Sequence, residues 1–196
     1  MSKPVIYLAS ASPRRRELLT QIGVPFELVR CEIDETPLPG EHPRAYVARL
    51  AAAKAAAGVA TYRAQGLPQR LLLSADTTVA LGTQILGKPV DAADACDMLR
   101  TLSGTVHEVY TGVAISDGER TETVVSTTEV RFRSVSEADI IAYVATGEPM
   151  DKAGSYGAQG RGALLIDSLE GSFSGVVGLP LTETGDLLRV FGYPLW

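Results

Sequence analysis

Three arginines follow the stretch VIYLASASP, at a place where a helix should least tolerate them. Val5 to Ala9 read as a buried strand, and Glu17 onward reads as an amphipathic helix. Ser12 is a good N-cap, and Pro13 suits the first helical position, where a missing N–H costs nothing. A helix start already carries partial positive charge and free N–H groups, so it favours anions. Arg14, Arg15 and Arg16 fit there if a phosphate-type anion completes the charge, with Ser10 and Ser12 adding hydroxyls. Successive helical residues turn by about 100°, so the arginines fan out. One or two reach an anion at the tip, while another meets solvent or an acidic neighbour. A surface helix with merely solvated arginines is the alternative.

Further groups able to do chemistry are scattered along the chain. SADTTV places Asp76 in an otherwise apolar strand, near its polar end. A buried aspartate is rare unless it is paired, binds metal or is catalytic. Asp76 could bind a metal or take a proton from water, or be bonded to nearby backbone or to a lysine. Asp34, Glu35, Lys54, Lys88 and Lys152 lie in loops or at element ends, and Lys54 is the one charge in LAAAKAAAG. Singly they are ordinary surface charges, and they matter only if the fold converges them. In DKAGSYGAQG the glycines let backbone approach a ligand, and Gln159 offers one amide suited to a base edge. A flexible surface loop without a ligand is the alternative there.

Alternating strand and helix signals must position these groups. RRRELLTQIG predicts a short helix stopped by Gly23, and PFELVRCEI a strand. RAYVARLAAAKAAAG predicts a helix ending at Gly58, and RLLLSADTTVAL a buried strand running into a turn. DAADACDMLRTLSG is a helix with an aspartate cap and a glycine stop. HEVYTGVAIS and RTETVVSTTEVRFR read as a hairpin about the Asp117-Gly118 turn. In its second strand Val125, Thr127, Glu129, Arg131 and Arg133 face one way, with Thr128, Val130 and Phe132 opposite. SEADIIAYVATG is a capped helix, EPMDKAGSYGAQGRG a glycine-dense loop, ALLIDSLEG a strand and LPLTETGDLLRVFG a closing helix. This order predicts an α/β layered fold with a mixed sheet.

Bulk properties narrow the function. The 196 residues suffice for one domain with a sizeable core, or for two small lobes around a cleft. With 18 basic against 23 acidic residues, the net charge of −5 disfavours a general nucleic-acid surface. No apolar run is long enough for a membrane span, and no secretory leader is expected. Cys31 and Cys96 read as two reduced thiols of a cytosolic protein, and His42 and His107 are too few for a histidine-rich metal site. His107 more simply caps or packs at the start of its strand. P-loop, GxSxG, HExxH and CxxC motifs are absent.

Taken in order, LASASPRRRELL, SADTTV, LGKP, HEVYTGVA, TGEPMDKAGSYGAQGRGA and VVGLPL resemble the Maf family of nucleoside triphosphate pyrophosphatases, over about Ile6 to Leu188. The resemblance implies a single domain over residues 1–196. It implies a three-layer α/β/α fold with an elongated mixed sheet and two lobes around a basic cleft, related to inosine triphosphate pyrophosphatases. It also implies hydrolysis to a monophosphate and pyrophosphate, a Mg²⁺ or Mn²⁺ ion, a cytoplasmic location and a homodimer, without nucleic-acid or membrane partners. By matching motif positions, Ser10, Arg14, Arg15, Lys54 and Lys88 are expected at the phosphates. Glu35 and Asp76 are expected at the metal, Asp76 also as proton acceptor, and Thr77 and Gln159 at the base. YGAQG resembles the branch acting on dTTP and UTP. A 7-methyl-GTP pyrophosphatase and a septum-formation regulator with incidental hydrolysis are the alternatives.

Overall fold

Residues 3–196 are described by a computed structural model. β1 (Ile6–Leu8) leads into α1 (Pro13–Gln21), where the Ser12 hydroxyl accepts from the Arg15 N–H and Pro13 opens the first turn. β2 (Phe26–Leu28), α2 (Pro43–Ala64), β3 (Leu72–Leu81), β4 (Gln84–Leu86) and α3 (Ala92–Leu102) follow. β5 (Val106–Ser116) and β6 (Thr121–Phe132) make the long hairpin. α4 (Glu137–Val144), β7 (Ile166–Glu170), α5 (Phe173–Val177) and α6 (Leu181–Val190) complete the chain. Among the described residues seven strands join one sheet, β2-β1-β3-β5-β6-β7, with β4 on β3. β2, β1 and β3 run parallel, and every other pairing is antiparallel.

Strand alternation sorts the core into three layers. Tyr7, Leu72 and Ala114 face α2 and pack on its Ala51, Ala55 and Val59. From the opposite face Ile6, Leu8, Leu73, Val113 and Ile115 meet Leu18 and Leu19 of α1 and Leu188 of α6. Farther along that face Val79, Val109, Val130 and Phe132 pack against α3 and α4 through Leu99, Leu102, Ile140 and Val144. The two clusters are the cores of the two lobes. β6 alternates as its sequence requires, with Ser126, Thr128, Val130 and Phe132 buried. Among the described residues no helix is long and apolar enough to cross a membrane. Both cysteines are free and half-buried.

Some boundaries differ from the sequence expectation. α2 continues through Gly58 to Ala64. Gly58 is a packing residue there, since a Cβ would stand 2.6 Å from Leu72 Cδ1 and 3.1 Å from Ala9 Cβ. A Cβ on Gly112 would likewise overlap the Val47 carbonyl of α2, so the helix rests on strand backbone. PFELVRCEI forms a strand only over Phe26–Leu28, because β1, its one partner, ends at Leu8. β4 and α5 are additional elements. The glycine-dense loop folds into short 3-10 turns at Glu148–Asp151, Ala153–Ser155 and Arg161–Leu165. Hydrogen bonding replaces periodicity there: the Glu148 carboxylate accepts from the Tyr143 hydroxyl and the Arg161 and Gly162 N–H groups.

Candidate active site

The site begins with a gap in the sheet. β1 pairs with β3 only at Leu72 and Leu73, and β4 takes up the same edge from Val79. Tyr7 and Ala9 donate to the Leu71 and Leu73 carbonyls, so by alternation the next groups on that edge belong to Ala75 and Thr77. The carboxyl end of β1 and the start of α1 lie beside this opening, the usual place for ligands in open α/β sheets. A cleft of about 970 Å³ fills it. Ser10, Arg14, Arg15, Glu35, Lys54, Asp76, Thr77, Lys88 and Gln159 all line that cleft.

Asp76 lies midway along β3 rather than at its end, and the interrupted edge gives it access to the cleft. It shares a face with Ser74, whose hydroxyl donates to the Ala51 carbonyl of α2. One turn later on α2, Lys54 places its ammonium 2.7 Å from Asp76 Oδ1 and 2.7 Å from Glu35 Oε1. The side chains of Lys54 and Asp76 are 15% and 10% exposed, whereas Glu35 is 53% exposed. Lys54 and Asp76 therefore form a withdrawn pair with Glu35 on the solvent side. The Tyr46 hydroxyl donates to the Glu35 carbonyl at 2.9 Å and fixes this loop. Burial, then the charges of Asp76 and Glu35, push the Tyr46 phenol up to about 12, so it keeps its proton at neutral pH. Asp34 turns away to accept from the Thr36 N–H.

Arg15 projects to the other face of β3. Its Nε donates to the Gly178 carbonyl at 2.8 Å, Nη1 to Ser10 Oγ at 3.2 Å and Nη2 to Thr77 Oγ1 at 3.2 Å. Burial draws its pKa down, opposed first by Asp76, and as a guanidinium it stays charged. Arg14 reaches across the cleft to Asp151 at 3.1 Å, and Lys152 meets the same carboxylate. Burial works against charge on Asp151, but the bond from Lys152 and the nearby Arg14 together hold its carboxyl below the ordinary value. Arg16 also lines the cleft, so the three arginines differ in their partners rather than in which surface they reach. Lys88 and Gln159 are exposed in the lining, where their side chains bond no other protein group among the described residues.

Sequence reasoning missed Asp151, Tyr46 and Tyr156 in this lining. Asp151 lies 137 positions from Arg14, and nothing local announces that pairing. Tyr156 is held from behind by buried His107, whose Nε2 is 2.8 Å from the phenol oxygen. His107 thus packs at its strand, as expected, and supports the loop besides.

Chemically, the cleft sets a cluster of cations around a water-accessible carboxylate, suited to a polyanion attacked by water. Among the described residues no group of three or more His, Cys, Asp or Glu side chains could hold a metal. Glu35 and Asp76 nevertheless converge from two sides on the Lys54 ammonium, and hard carboxylates suit an ion that completes its shell with water and phosphate oxygens.

Residues 5–191 match the family Maf-like protein. A dTTP/UTP pyrophosphatase of Aromatoleum aromaticum is 55% identical, over 98% of this chain and 100% of that protein. Proteins of the same description from Dechloromonas aromatica and Chromobacterium violaceum are 54% and 50% identical, over 96% and 97% of this chain and 98% and 96% of theirs. The structure of the Staphylococcus aureus Ham1 protein has a TM-score of 0.43 at 13% identity, over 66% of this chain and 72% of that chain, too distant to bear on function.

Proposed function

The chain belongs to the Maf-like protein family, and from that premise we propose how its cleft works. The protein is a nucleoside triphosphate pyrophosphatase that hydrolyses dTTP and UTP to the monophosphate and pyrophosphate. The observation that best supports this for the present chain is the Asp76–Lys54 pair in the same cleft as Arg15.

A nucleoside triphosphate brings close to four negative charges. Arg14, Arg15, Lys54 and Lys88 bind it and neutralise the charge developing on the departing pyrophosphate. Ser10 donates to a phosphate oxygen at the start of α1. Asp76, held in place by Lys54, takes the proton of the water that attacks the α-phosphorus. Glu35 and Asp76 would hold Mg²⁺ or Mn²⁺, which supplies further neutralisation of phosphate oxygens. Gln159 and the glycine-rich backbone around it meet O2, N3–H and O4 of a pyrimidine, and a purine is excluded by size. We assign Thr77, expected at the base, to hold Arg15 at the phosphates, since its hydroxyl accepts from that guanidinium. We place the enzyme in the cytoplasm as a homodimer, with neither nucleic acid nor membrane as partner.

A nucleotide panel with Mg²⁺ and product analysis tests this. Pyrophosphate should appear fastest from dTTP, UTP or their 5-substituted relatives, and chelation should stop its release. Faster turnover of 7-methyl-GTP would overturn the base assignment and leave the reaction class standing.

A further inference from the structure

We propose that Thr111 of β5 is a positioning residue for the phosphate-binding arginine, acting through Thr77. The proposal rests on the reading that Arg15 meets the phosphates. It starts from the motif HEVYTGVA, whose threonine has no part in the mechanism above.

Thr77 and Thr111 are directly opposite each other on neighbouring strands. Their hydroxyl oxygens are 2.9 Å apart, and Thr111 Oγ1 donates to the Gly175 carbonyl at 2.8 Å. A guanidinium only donates and a carbonyl only accepts, so the direction of the whole chain is fixed. Arg15 donates to Thr77, Thr77 donates its single proton to Thr111, and Thr111 donates its own to Gly175. Each hydroxyl gives once and receives once.

The chain closes into a ring. Gly175 lies in α5, and Gly178, just beyond α5, accepts from Arg15 Nε directly. One short segment therefore grips the guanidinium at both ends, once directly and once through two threonines. Three of its five N–H groups are taken, by Gly178, Ser10 and Thr77. One N–H on each terminal nitrogen of the forked guanidinium remains to meet a phosphate. Thr111 is 1% exposed, so water cannot stand in for its hydroxyl. Without it, Thr77 loses the acceptor that orients it, the Gly175 carbonyl keeps only the Gly178 N–H, and the fork loses its support.

Inorganic pyrophosphate binding, measured by calorimetry on the whole protein, tests this apart from turnover. Thr111→Val keeps the shape and removes the hydroxyl. It should weaken pyrophosphate binding roughly tenfold, the scale of one hydrogen bond to a charged group. kcat/KM for dTTP should fall by a similar factor. In an Arg15→Lys background the same substitution should have little further effect, since a lysine has no fork to hold. Thr111→Ser should recover most of the loss. Unchanged pyrophosphate binding by folded Thr111→Val, or an equal loss in the Arg15→Lys background, overturns the proposal. If Thr111→Val does not fold, Thr111→Ala and Thr111→Ser isolate the hydroxyl, and equal binding by those two overturns it. If no nucleotide releases pyrophosphate while binding still depends on Thr111, the assigned function fails and the ring stands.

Discussion

Replacing Lys54 with methionine removes the charge that joins Glu35 to Asp76 while keeping most of the side-chain volume. Lys54 lies 2.7 Å from both carboxylates, but the two contacts are unequal. Glu35 is half exposed, and its share is worth under about 1 kcal/mol in water. Asp76 is nearly enclosed, and removing one partner of a buried pair costs about 3–5 kcal/mol. Because Asp76 opens on the cleft, the low end applies, about 3 kcal/mol. At roughly 2–4 °C per kcal/mol for a chain of this size, the melting midpoint should fall by roughly 6–12 °C. Turnover should fall further than stability suggests, by at least about 100-fold in kcat/KM, because the proton acceptor loses its anchor and the phosphates lose a cation. Scanning calorimetry and a continuous pyrophosphate-release assay read the two effects separately. Adding Asp76→Asn to Lys54→Met should restore about 2 kcal/mol of the lost stability, since a neutral amide needs no counter-ion, and should restore no activity. Coincident melting of Lys54→Met and the parent protein, or a double variant no more stable than Lys54→Met, would refute the coupling.

Arg14→Ala and Arg15→Ala should each cost about 1.5–3 kcal/mol in kcat/KM, and Arg16→Ala less, in a steady-state assay with dTTP; equal losses at all three would contradict the assignment of Arg14 and Arg15 alone to the phosphates. His107 is pushed by burial from 6.5 down to about 4, so the unfolded chain binds its proton at higher pH than the folded one. Stability complete above 6.5 is therefore lost as pH falls toward 4, by at most about 3 kcal/mol, and chemical denaturation across that range should show a flatter slope for His107→Gln. Gly112→Ala drives a methyl into the Val47 carbonyl and should destabilise the fold by at least about 1–3 kcal/mol, lowering activity as α2 carries Lys54 away from Asp76.

Local chemistry written over a few residues is legible in the sequence itself. Ser12 and Pro13 start α1, Asp91 caps α3, Ser136 caps α4, and β6 buries alternate residues as its pattern requires. Convergence of the chosen site residues on one cleft follows from ordered family motifs, since single lysines such as Lys54 and Lys88 carry no local signal. What stays illegible depends on contact between distant segments. Gly58 reads as a helix stop and is instead the point where α2 touches β3. The loop after Glu148 reads as free chain because its order comes from one carboxylate collecting three donors. Period-two alternation separates Asp76 from Thr77 onto opposite faces, yet only the short β1 shows why both reach the same opening.

The interruption between β1 and β4 also bears on aggregation. A bare strand edge offers its N–H and C=O groups to any extended peptide and is a common start for aggregation. Here the bare stretch is bounded at both ends by strands already in place, at Leu73 and Val79. Charged walls from Arg14, Lys54 and Asp151 surround it. A foreign strand finds too short a run to register and must shed the hydration of those charges to reach it. The fold thus keeps backbone hydrogen-bonding capacity at the floor of its cleft without giving its neighbours a template.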